Sequence, residues 1–307
     1  MMRRTIGFGL LALGLLQVPV AAAARCDKAC LEAIGDQYRA AYLKHDPKLA
    51  PFARKVRFTE NHVTMEFPDG SWDTITQETG PALTFSDPQT SGVGIYTTIM
   101  QNDTPTFVAI RLHVSGGKID QVEHILSTKR NLSSPPTPIG EVATYKHEPI
   151  FGSMVPPSER ATRQRLIELG NGYFNTLQNN TGEIRGAKFS ADAVRLENGL
   201  KFPEIEKGFR LGRYAFNERV RDREPVVIDE ERGLVMFRGF IDHKGVMDEY
   251  LLTDGTKVRS PYREPQSWAF LETFKVKNDM IVSVEATFFG SPYYMRSPWT
   301  RKPDPRR

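Results

Sequence analysis

The sequence contains only two cysteines, six histidines and three tryptophans among its 307 residues. The cysteines have no cluster of histidines nearby, so they are too few for a metal site. The sequence also lacks a large excess of positive or negative charge. Of the 41 Lys and Arg residues, Arg3 and Arg4 lie in a segment that we predict to be cleaved, which leaves 39 against 37 Asp and Glu. This balance excludes the strongly basic surface that is typical of nucleic-acid-binding proteins.

The motifs of several enzyme classes are absent as well. The sequence has no glycine-rich phosphate loop, no dinucleotide-binding fingerprint and no Gly-x-Ser-x-Gly motif. No two histidines have metal-ligand spacing. We therefore predict no metal and no cofactor. No stretch after residue 24 is long and apolar enough to span a bilayer, so we predict no membrane span.

Residues 1–24 have the three parts of a secretory signal peptide. Arg3 and Arg4 form a positive start, Ile6–Leu16 is uncharged and apolar, and Ala21–Ala24 supplies small residues for cleavage. The apolar part is too short for a retained membrane helix. We therefore expect an exported protein, periplasmic or extracellular, with a buried N-terminal helix as the alternative.

Cys26 and Cys30 lie four residues apart at the start of the mature chain. In an oxidising compartment such a pair usually forms a disulfide, and one helical turn brings the Cα atoms within reach. Because the closed loop is short, the bond would restrict the unfolded chain only modestly. Free thiols are the alternative.

The chain reads as two copies of one pattern. Each copy begins with a helix, Leu31–His45 or Leu166–Leu177, and continues into a strand that ends in Glu-Asn. Each copy ends in an alternating hairpin, with Gly116-Gly117 or Asn278-Asp279 at the turn. The same order of elements in both halves predicts an internal repeat of roughly 140 residues.

This pattern divides the chain into five segments. We predict a signal peptide at 1–24, copy one at 25–130, a proline-rich linker at 131–158, copy two at 159–299 and a disordered tail at 300–307. The linker contains six prolines, which block helix formation and favour an extended chain. Its length would allow it to wrap one domain.

The openings of the two copies resemble the NTF2-like, or SnoaL-like, fold. Over residues 26–299 the chain also resembles a family of secreted two-copy proteins, DUF8021. The blocks that carry this resemblance are Cys26–Leu31, Val56–Asn61, Val194–Gly199, Asp222–Gly233, Phe240–His243 and Ser291–Trp299. The resemblance implies an α+β fold with two fused cone-shaped domains, each a curved antiparallel sheet wrapped on N-terminal helices. It also implies a pseudo-dimer within one chain, for which a monomer is one possible state, and cofactor-free acid–base chemistry in an apolar pocket. A fold alone does not fix the function.

We take His243, Glu272 and Glu197 as candidate catalytic groups, with Tyr173 as a hydrogen-bond donor to substrate. His243 closes an apolar strand, and histidine titrates near neutral pH. Copy two is preferred because Asp242-His243 and Arg238 lack ionisable counterparts at Gln101 and Thr98. The alternatives are a surface turn for His243 and a buried tyrosine with a satisfied hydroxyl for Tyr173.

Further polar residues are candidates for substrate binding, although each also has a structural explanation. Arg238 and Asp242 would form an ion pair, and the Glu-Asn pairs would close turns. Arg111 and His113 would face solvent. Glu123 and Glu285 occupy the same place in the two copies, which favours a solvated sheet face. The complete set of binding candidates is Tyr173, Arg238, Asp242, Asn198, Glu60, Arg111 and His113.

The leading hypothesis is a cofactor-independent lyase or isomerase that acts on a small, largely apolar or aromatic molecule. The alternative is a non-catalytic binding protein for a small molecule in the periplasm or outside the cell. A structural envelope protein, with its pockets filled by side chains, is a third interpretation.

Overall fold

The computed structural model describes residues 26–129 and 138–300. The predicted signal peptide, 1–24, and residues 301–307 of the predicted disordered tail lie outside this range. Within it, no helix combines the length and apolar character needed to cross a membrane.

Two long helices open the two halves, as the apolar spacing predicts. The Asp27 side chain caps the first by accepting a hydrogen bond from the backbone N–H of Cys30. Thr162 caps the second in the same way, with Arg165 as the donor. Such caps satisfy N–H groups that the first turn leaves unpaired. The helices of the described residues are α1 (Lys28–Leu43), α2 (Ser71–Thr74), α3 (Arg163–Leu177) and α4 (Ile205–Arg210).

The first half forms a seven-stranded sheet. Its strands are β1 (Phe52–Glu60), β2 (Val63–Met65), β3 (Ile75–Glu78), β4 (Leu83–Asp87), β5 (Gly92–Gln101), β6 (Thr104–Ser115) and β7 (Lys118–Thr128). The order is β2-β1-β7-β6-β5-β3, and β4 also pairs with β5. The predicted hairpin is confirmed, because β6 and β7 pair antiparallel around Gly116-Gly117.

The second half forms a six-stranded sheet and a small separate hairpin. The strands are β8 (Phe189–Glu197), β9 (Leu200–Pro203), β10 (Arg219–Asp229), β11 (Leu234–His243), β12 (Glu249–Leu251), β13 (Lys257–Arg259), β14 (Gln266–Lys277) and β15 (Met280–Pro292). The sheet order is β10-β11-β14-β15-β8-β9, and β12 pairs with β13.

The α+β class is confirmed, but the prediction of antiparallel sheets is wrong in one respect. Each sheet is mixed, since β1 runs parallel to β7 and β8 runs parallel to β15. These pairs are separated in sequence by the other strands of their sheets. A tight turn fixes antiparallel direction only between consecutive strands, so it does not constrain these pairs.

The two sheets pack against each other, and each carries its own long helix on the other face. On β11, Val235 and Phe237 pack with α3, whereas Leu234 and Met236 face the first sheet. The Tyr96 hydroxyl of the first sheet donates to the Leu271 carbonyl of the second across this contact, at 3.0 Å. Both faces of the central strands are therefore buried. The core between the sheets consists of Leu83, Phe85, Tyr96, Ala109, Ile125, Phe151, Val226, Val227, Leu234, Met236 and Leu271.

The described part of the predicted linker, residues 138–158, packs on the sheets. It contains three short 3₁₀ helices, and Phe151 is buried in the core between the sheets. The backbone N–H of Gly140 donates to the backbone carbonyl of Asn198, and that of Val155 donates to the backbone carbonyl of Glu231. These contacts tie the segment to the second sheet.

The predicted disulfide between Cys26 and Cys30 is present, with its Cα atoms 5.4 Å apart. Cys30 lies in the first turn of α1, whereas Cys26 precedes the Asp27 cap. The bond therefore joins the lead-in segment to the helix.

Candidate active site

Two carboxylates lie in one row across the second sheet, on the side covered by α3. Glu272 of β14 pairs with Ala286 of β15, and Ala286 pairs with Glu197 of β8. Neighbouring strands lie about 4.7–4.9 Å apart, so two strand steps separate the glutamates by roughly 10 Å. Paired residues point to the same face, and the residue between them carries only a methyl group. The two carboxyl groups therefore lie on the same face of the sheet.

Glu272 is enclosed by the protein, with 1% of its surface exposed. Burial raises its pKa from 4.5 to about 8, and the negative charge of Glu197 adds to this increase. Arg195 and the nearby Tyr173 hydroxyl oppose it. Both Glu272 oxygens are buried and make no hydrogen bond of normal geometry within the described residues. Glu272 therefore holds a proton at neutral pH.

Glu197, in contrast, is held by a cation. Its Oε1 lies 2.8 Å from Nε of Arg195, which belongs to the same strand. The other two nitrogens of this guanidinium donate to the hydroxyls of Tyr173, at 2.9 Å, and Tyr214, at 2.7 Å. The buried arginine therefore forms an ion pair with the carboxylate, although its Nε has no hydrogen bond of normal geometry, and it donates hydrogen bonds to both phenols. The row thus contains two carboxyl groups in different electrostatic environments.

His243 lies on the same face but further along the strands. It pairs with Gln266, whereas Glu272 pairs with Phe237. Gln266 and Glu272 are six residue steps apart along β14, a span of roughly 20 Å in an extended strand. The imidazole stacks on Tyr262 at 4.1 Å. Burial lowers its pKa to about 4, although a hydrogen bond to the Phe216 backbone and the charge of Asp242 partly oppose this. His243 is therefore neutral at pH 7.

Several buried polar atoms on this face have no hydrogen-bond partner within the described residues. They belong to Glu272, the Nδ1 atom of His243 and the indole Nε1 of Trp268. Trp268 lies next to Tyr262, with ring centroids 5.8 Å apart. Buried polar groups are nearly always paired in folded proteins, so these unpaired atoms mark this face as a candidate site.

Two other predicted residues, Asp242 and Asn198, have structural partners, and a third, Glu60, lies elsewhere. Asp242 points to the opposite face from His243, where it accepts from Arg219, Arg221 and Ser267. Asn198 has a positive φ, and its side-chain oxygen accepts from the backbone N–H of Phe288. Glu60 lies in the first half, outside the second sheet.

The remaining candidates, Arg238, Arg111 and His113, line a cleft between the two sheets. Arg238 forms an ion pair with Glu123 at 3.3 Å, and His113 Nδ1 lies 2.6 Å from Asp120. The prediction that Glu123 is solvated is wrong, because both sheet faces are covered and its exposure is 0%.

The same prediction is wrong for Glu285, which is 3% exposed. Its Oε1 accepts from the Tyr145 hydroxyl at 2.6 Å and lies 2.7 Å from His147 Nδ1. Burial lowers the pKa of His147, but Glu285 outweighs burial and leaves this pKa raised.

The first half has different side chains at the positions that correspond to the row of the second half. Glu60 accepts hydrogen bonds from Ser71. His124 lies between Glu60, at 3.5 Å, and the Tyr38 hydroxyl, at 2.7 Å. If Glu123 is aligned with Glu285, the strand registers place Ile110 where the second half has Glu272. The first half therefore lacks the buried, proton-holding carboxyl group.

The registers also correct one predicted correspondence. Gln101 does match His243, but Arg238 matches Tyr96 rather than Thr98. Neither counterpart carries a charge near neutral pH, so the contrast between the copies is kept. Glu272 adds to this contrast between the halves, because its counterpart in the first half is Ile110, which has no ionisable group.

Sequence reasoning missed Arg195, Tyr214, Tyr262 and Trp268 as members of this site. Arg195 could have been found, since it lies two residues before Glu197 and strand periodicity puts both on one face. Tyr214 and Tyr262 come from segments outside the sheet. No sequence spacing relates these two residues to the row.

Comparison with known proteins finds that much of the second half matches one family model. Residues 159–288 match the model of a family described as a domain of unknown function, DUF8021. This match confirms the predicted relation for that part of the chain. No curated protein sequence matches the chain.

The similarity to solved structures is weaker. An NTF2-like protein of unknown function from Cytophaga hutchinsonii is 7% identical, with a TM-score of 0.28. The match covers 42% of this chain and all of that one. An NTF2-like protein from Anabaena variabilis is 12% identical, with a TM-score of 0.29. That match covers 42% of this chain and 92% of the other. Such TM-scores are too low to carry an argument about function.

Proposed function

We propose that this chain, whose residues 159–288 match DUF8021, is a cofactor-independent lyase or isomerase that works by general acid–base catalysis. Its substrate would be a small, largely apolar molecule with an acidic C–H next to a carbonyl. The molecule would bind between α3 and the second sheet. The observation that carries the proposal is the row Glu272–Ala286–Glu197, in which two carboxyl groups with different partners flank a small residue.

The two carboxyl groups would have opposite roles. Two carboxyl groups whose environments differ in this way can act as acid and base at one pH. Glu272, which holds a proton at neutral pH, would donate it to the carbonyl oxygen of the substrate. Glu197, fixed by Arg195, would accept the proton from carbon. The enol formed would then be protonated at another carbon by an isomerase, or would expel a leaving group in a lyase.

The surroundings support an apolar substrate. The face is lined by Phe237, Phe270, Phe274 and Phe288. The hydroxyl of Tyr173 would orient the substrate, since it lies between Arg195 and Glu272. His243 is too far along the strands to share the reacting atoms with Glu272, so Glu272 and Glu197 carry the chemistry in this proposal.

Deuterium exchange tests the reaction directly. We would incubate residues 25–307 in D₂O with β-tetralone, an apolar aromatic ketone with acidic C–H groups, and follow its mass. The wild type should accelerate the exchange. Glu272→Gln and Glu197→Gln should each lose a factor of about 10²–10⁴, the usual contribution of a general acid or base.

Glu249→Gln is the matched control, because Glu249 lies on the separate hairpin and pairs with Lys257. It should leave the exchange rate unchanged. Exchange that persists in Glu272→Gln would contradict the acid role. Saturable binding of the ketone without any exchange would favour the alternative, a non-catalytic binding protein.

We also propose that the two halves, residues 25–130 and 159–299, are fused copies of one NTF2-like fold that form an internal pseudo-dimer. Matched details support this proposal. Asn61 and Asn198 both have positive φ, and each accepts a backbone hydrogen bond on the neighbouring strand, from Leu126 and Phe288 respectively. The core between the sheets is the contact that such a pseudo-dimer would bury.

We propose, finally, that the protein is exported. The Cys26–Cys30 disulfide supports an oxidising compartment, where such bonds persist. The protein recovered outside the cytoplasm should have the intact mass of residues 25–307, less the two hydrogens that are lost when the disulfide forms. A full-length mass with two free thiols would contradict export.

A further inference from the structure

A second polar site lies away from the row, in the cleft between the two sheets. The cleft has a volume of about 790 Å³ and is open to solvent. Its lining includes two carboxylates, Asp222 and Glu224, and the side chain of Trp299. Five arginines from both halves of the chain also line it: Arg57, Arg111, Arg221, Arg223 and Arg238.

Three of these arginines are largely buried and have an N–H group without a hydrogen bond within the described residues. These groups are Nε of Arg111, Nη2 of Arg221 and Nε of Arg238. The Arg238 side chain is only 4% exposed. Its Nε lies 3.3 Å from Glu123, close enough for an ion pair but without hydrogen-bond geometry. Unsatisfied guanidinium donors in a cleft point to an acceptor from outside the chain.

The other two arginines bond to groups that carry no charge. Arg223 donates to the Val220 carbonyl and to the Asn175 side chain. Arg57 stacks on the Trp299 ring at 4.0 Å and donates to the Pro298 carbonyl. Among the described residues, neither arginine has a carboxylate within ion-pair distance, so its positive charge is not directly neutralised.

Behind the lining, Glu123 and Asp242 neutralise part of the charge. Glu123 lies against Arg238, and Asp242 accepts from Arg221 and from Arg219. Asp120 adds a fifth nearby carboxylate, held by His113 of the lining. Arg219, which shares Asp242 with Arg221, adds a sixth arginine, so the arginines still outnumber the carboxylates. The electrostatic field in the cleft thus favours an anion.

We propose that this cleft binds a small organic oxyanion that carries a carboxylate or a phosphate group. The planar guanidinium presents two parallel N–H groups that fit either oxyanion. Because Arg111 belongs to the first sheet and Arg221 and Arg238 to the second, the ligand would bridge the two halves. This site is separate from the row that contains Glu272, which lies on the opposite face of the second sheet.

Titration calorimetry of residues 25–307 at low salt tests the proposal, with inorganic phosphate and citrate as the two probes. We expect saturable binding of at least one of them. If citrate binds and phosphate does not, the natural ligand carries carboxylates; if phosphate binds as tightly, it carries phosphate. Arg223→Gln should weaken binding on the order of tenfold, because it removes a charged donor and leaves no carboxylate unpaired.

Arg57→Gln is a second variant, at an exposed position where loss of folding is not expected. It should also weaken binding. Arg210→Gln is the control, since Arg210 is an exposed arginine on α4 that pairs with Glu206. Failure of both anions to bind would overturn the proposal. Equal affinity of the wild type, Arg223→Gln and Arg57→Gln would overturn it as well.

Discussion

Replacing Glu272 by glutamine is expected to remove a large pH dependence of stability between pH 5 and pH 8. The carboxyl has a pKa of about 8 when folded, against 4.5 for an unperturbed glutamate. In this interval the folded state binds the proton and the unfolded state releases it, so the free energy of unfolding falls as pH rises. The full effect amounts to roughly 5 kcal/mol. This loss of stability is complete above about pH 8, and it is absent below about pH 4.5.

Other buried groups titrate in the same pH range. The useful quantity is therefore the difference in the free energy of unfolding between Glu272→Gln and the wild type at each pH. Burial lowers the pKa of His243 to about 4 and that of His62 to about 3. Their contributions have the opposite sign, because the unfolded state binds the proton more tightly and stability is lost as pH falls below 6.5. These terms are shared by the wild type and Glu272→Gln, and they cancel in the difference.

Urea unfolding at pH 5, 6, 7 and 8 provides the measurement. Relative to the wild type, Glu272→Gln should gain stability steadily with pH, whereas Glu249→Gln should follow the wild type. Parallel profiles for the wild type and Glu272→Gln would show that Glu272 ionises at an ordinary pH, and the acid role proposed for it would fail.

Arg238→Met is expected to destabilise the fold by about 3–5 kcal/mol, the range for breaking a buried ion pair by removing one partner. The cause is Glu123, which has no exposed surface and no hydrogen bond within the described residues. Without Arg238, its charge would lie buried between the sheets with Arg111 as the other nearby cation. The free energy of unfolding at neutral pH measures the loss.

A double variant separates the charge from the packing. Adding Glu123→Leu to Arg238→Met should recover most of the stability, since an apolar pair often replaces a buried ion pair at little cost. Arg219→Met is the control, because Arg219 is 37% exposed and Arg221 still holds Asp242 in its absence. If Glu123→Leu recovers nothing, the loss comes from packing and the electrostatic explanation is wrong.

The order of elements could be predicted from the sequence, but the environment of each face could not. Gly116-Gly117 and Asn278-Asp279 identify both hairpins, because turn residues and alternating strands are local signals. Glu123 and Glu285 were assigned to a solvated face, which would be correct for a sheet covered on one side. The packing of one sheet on the other is a long-range contact that no local pattern encodes.

The candidate site shows the same limit. The sequence indicates Glu272 as a carboxyl group among large apolar residues and Glu197 as one that closes the first strand of copy two, and it does not relate the two. Their common row depends on the antiparallel pairing of β14 with β15 and the parallel pairing of β15 with β8. The parallel pairing contradicts the predicted sheet type. His243 was grouped with Glu272 by residue type, whereas the register of β11 on β14 sets them far apart.

Infrared spectroscopy of the carboxyl groups tests the central claim most directly, because protonated and ionised carboxyl groups absorb at different frequencies. The account predicts a protonated carboxyl band at pH 7 that titrates near pH 8 and is missing from Glu272→Gln. The Glu249→Gln protein should retain this band. If the wild type shows no protonated carboxyl at pH 7, Glu272 is ionised in the folded protein, and the proposed acid–base pair is contradicted.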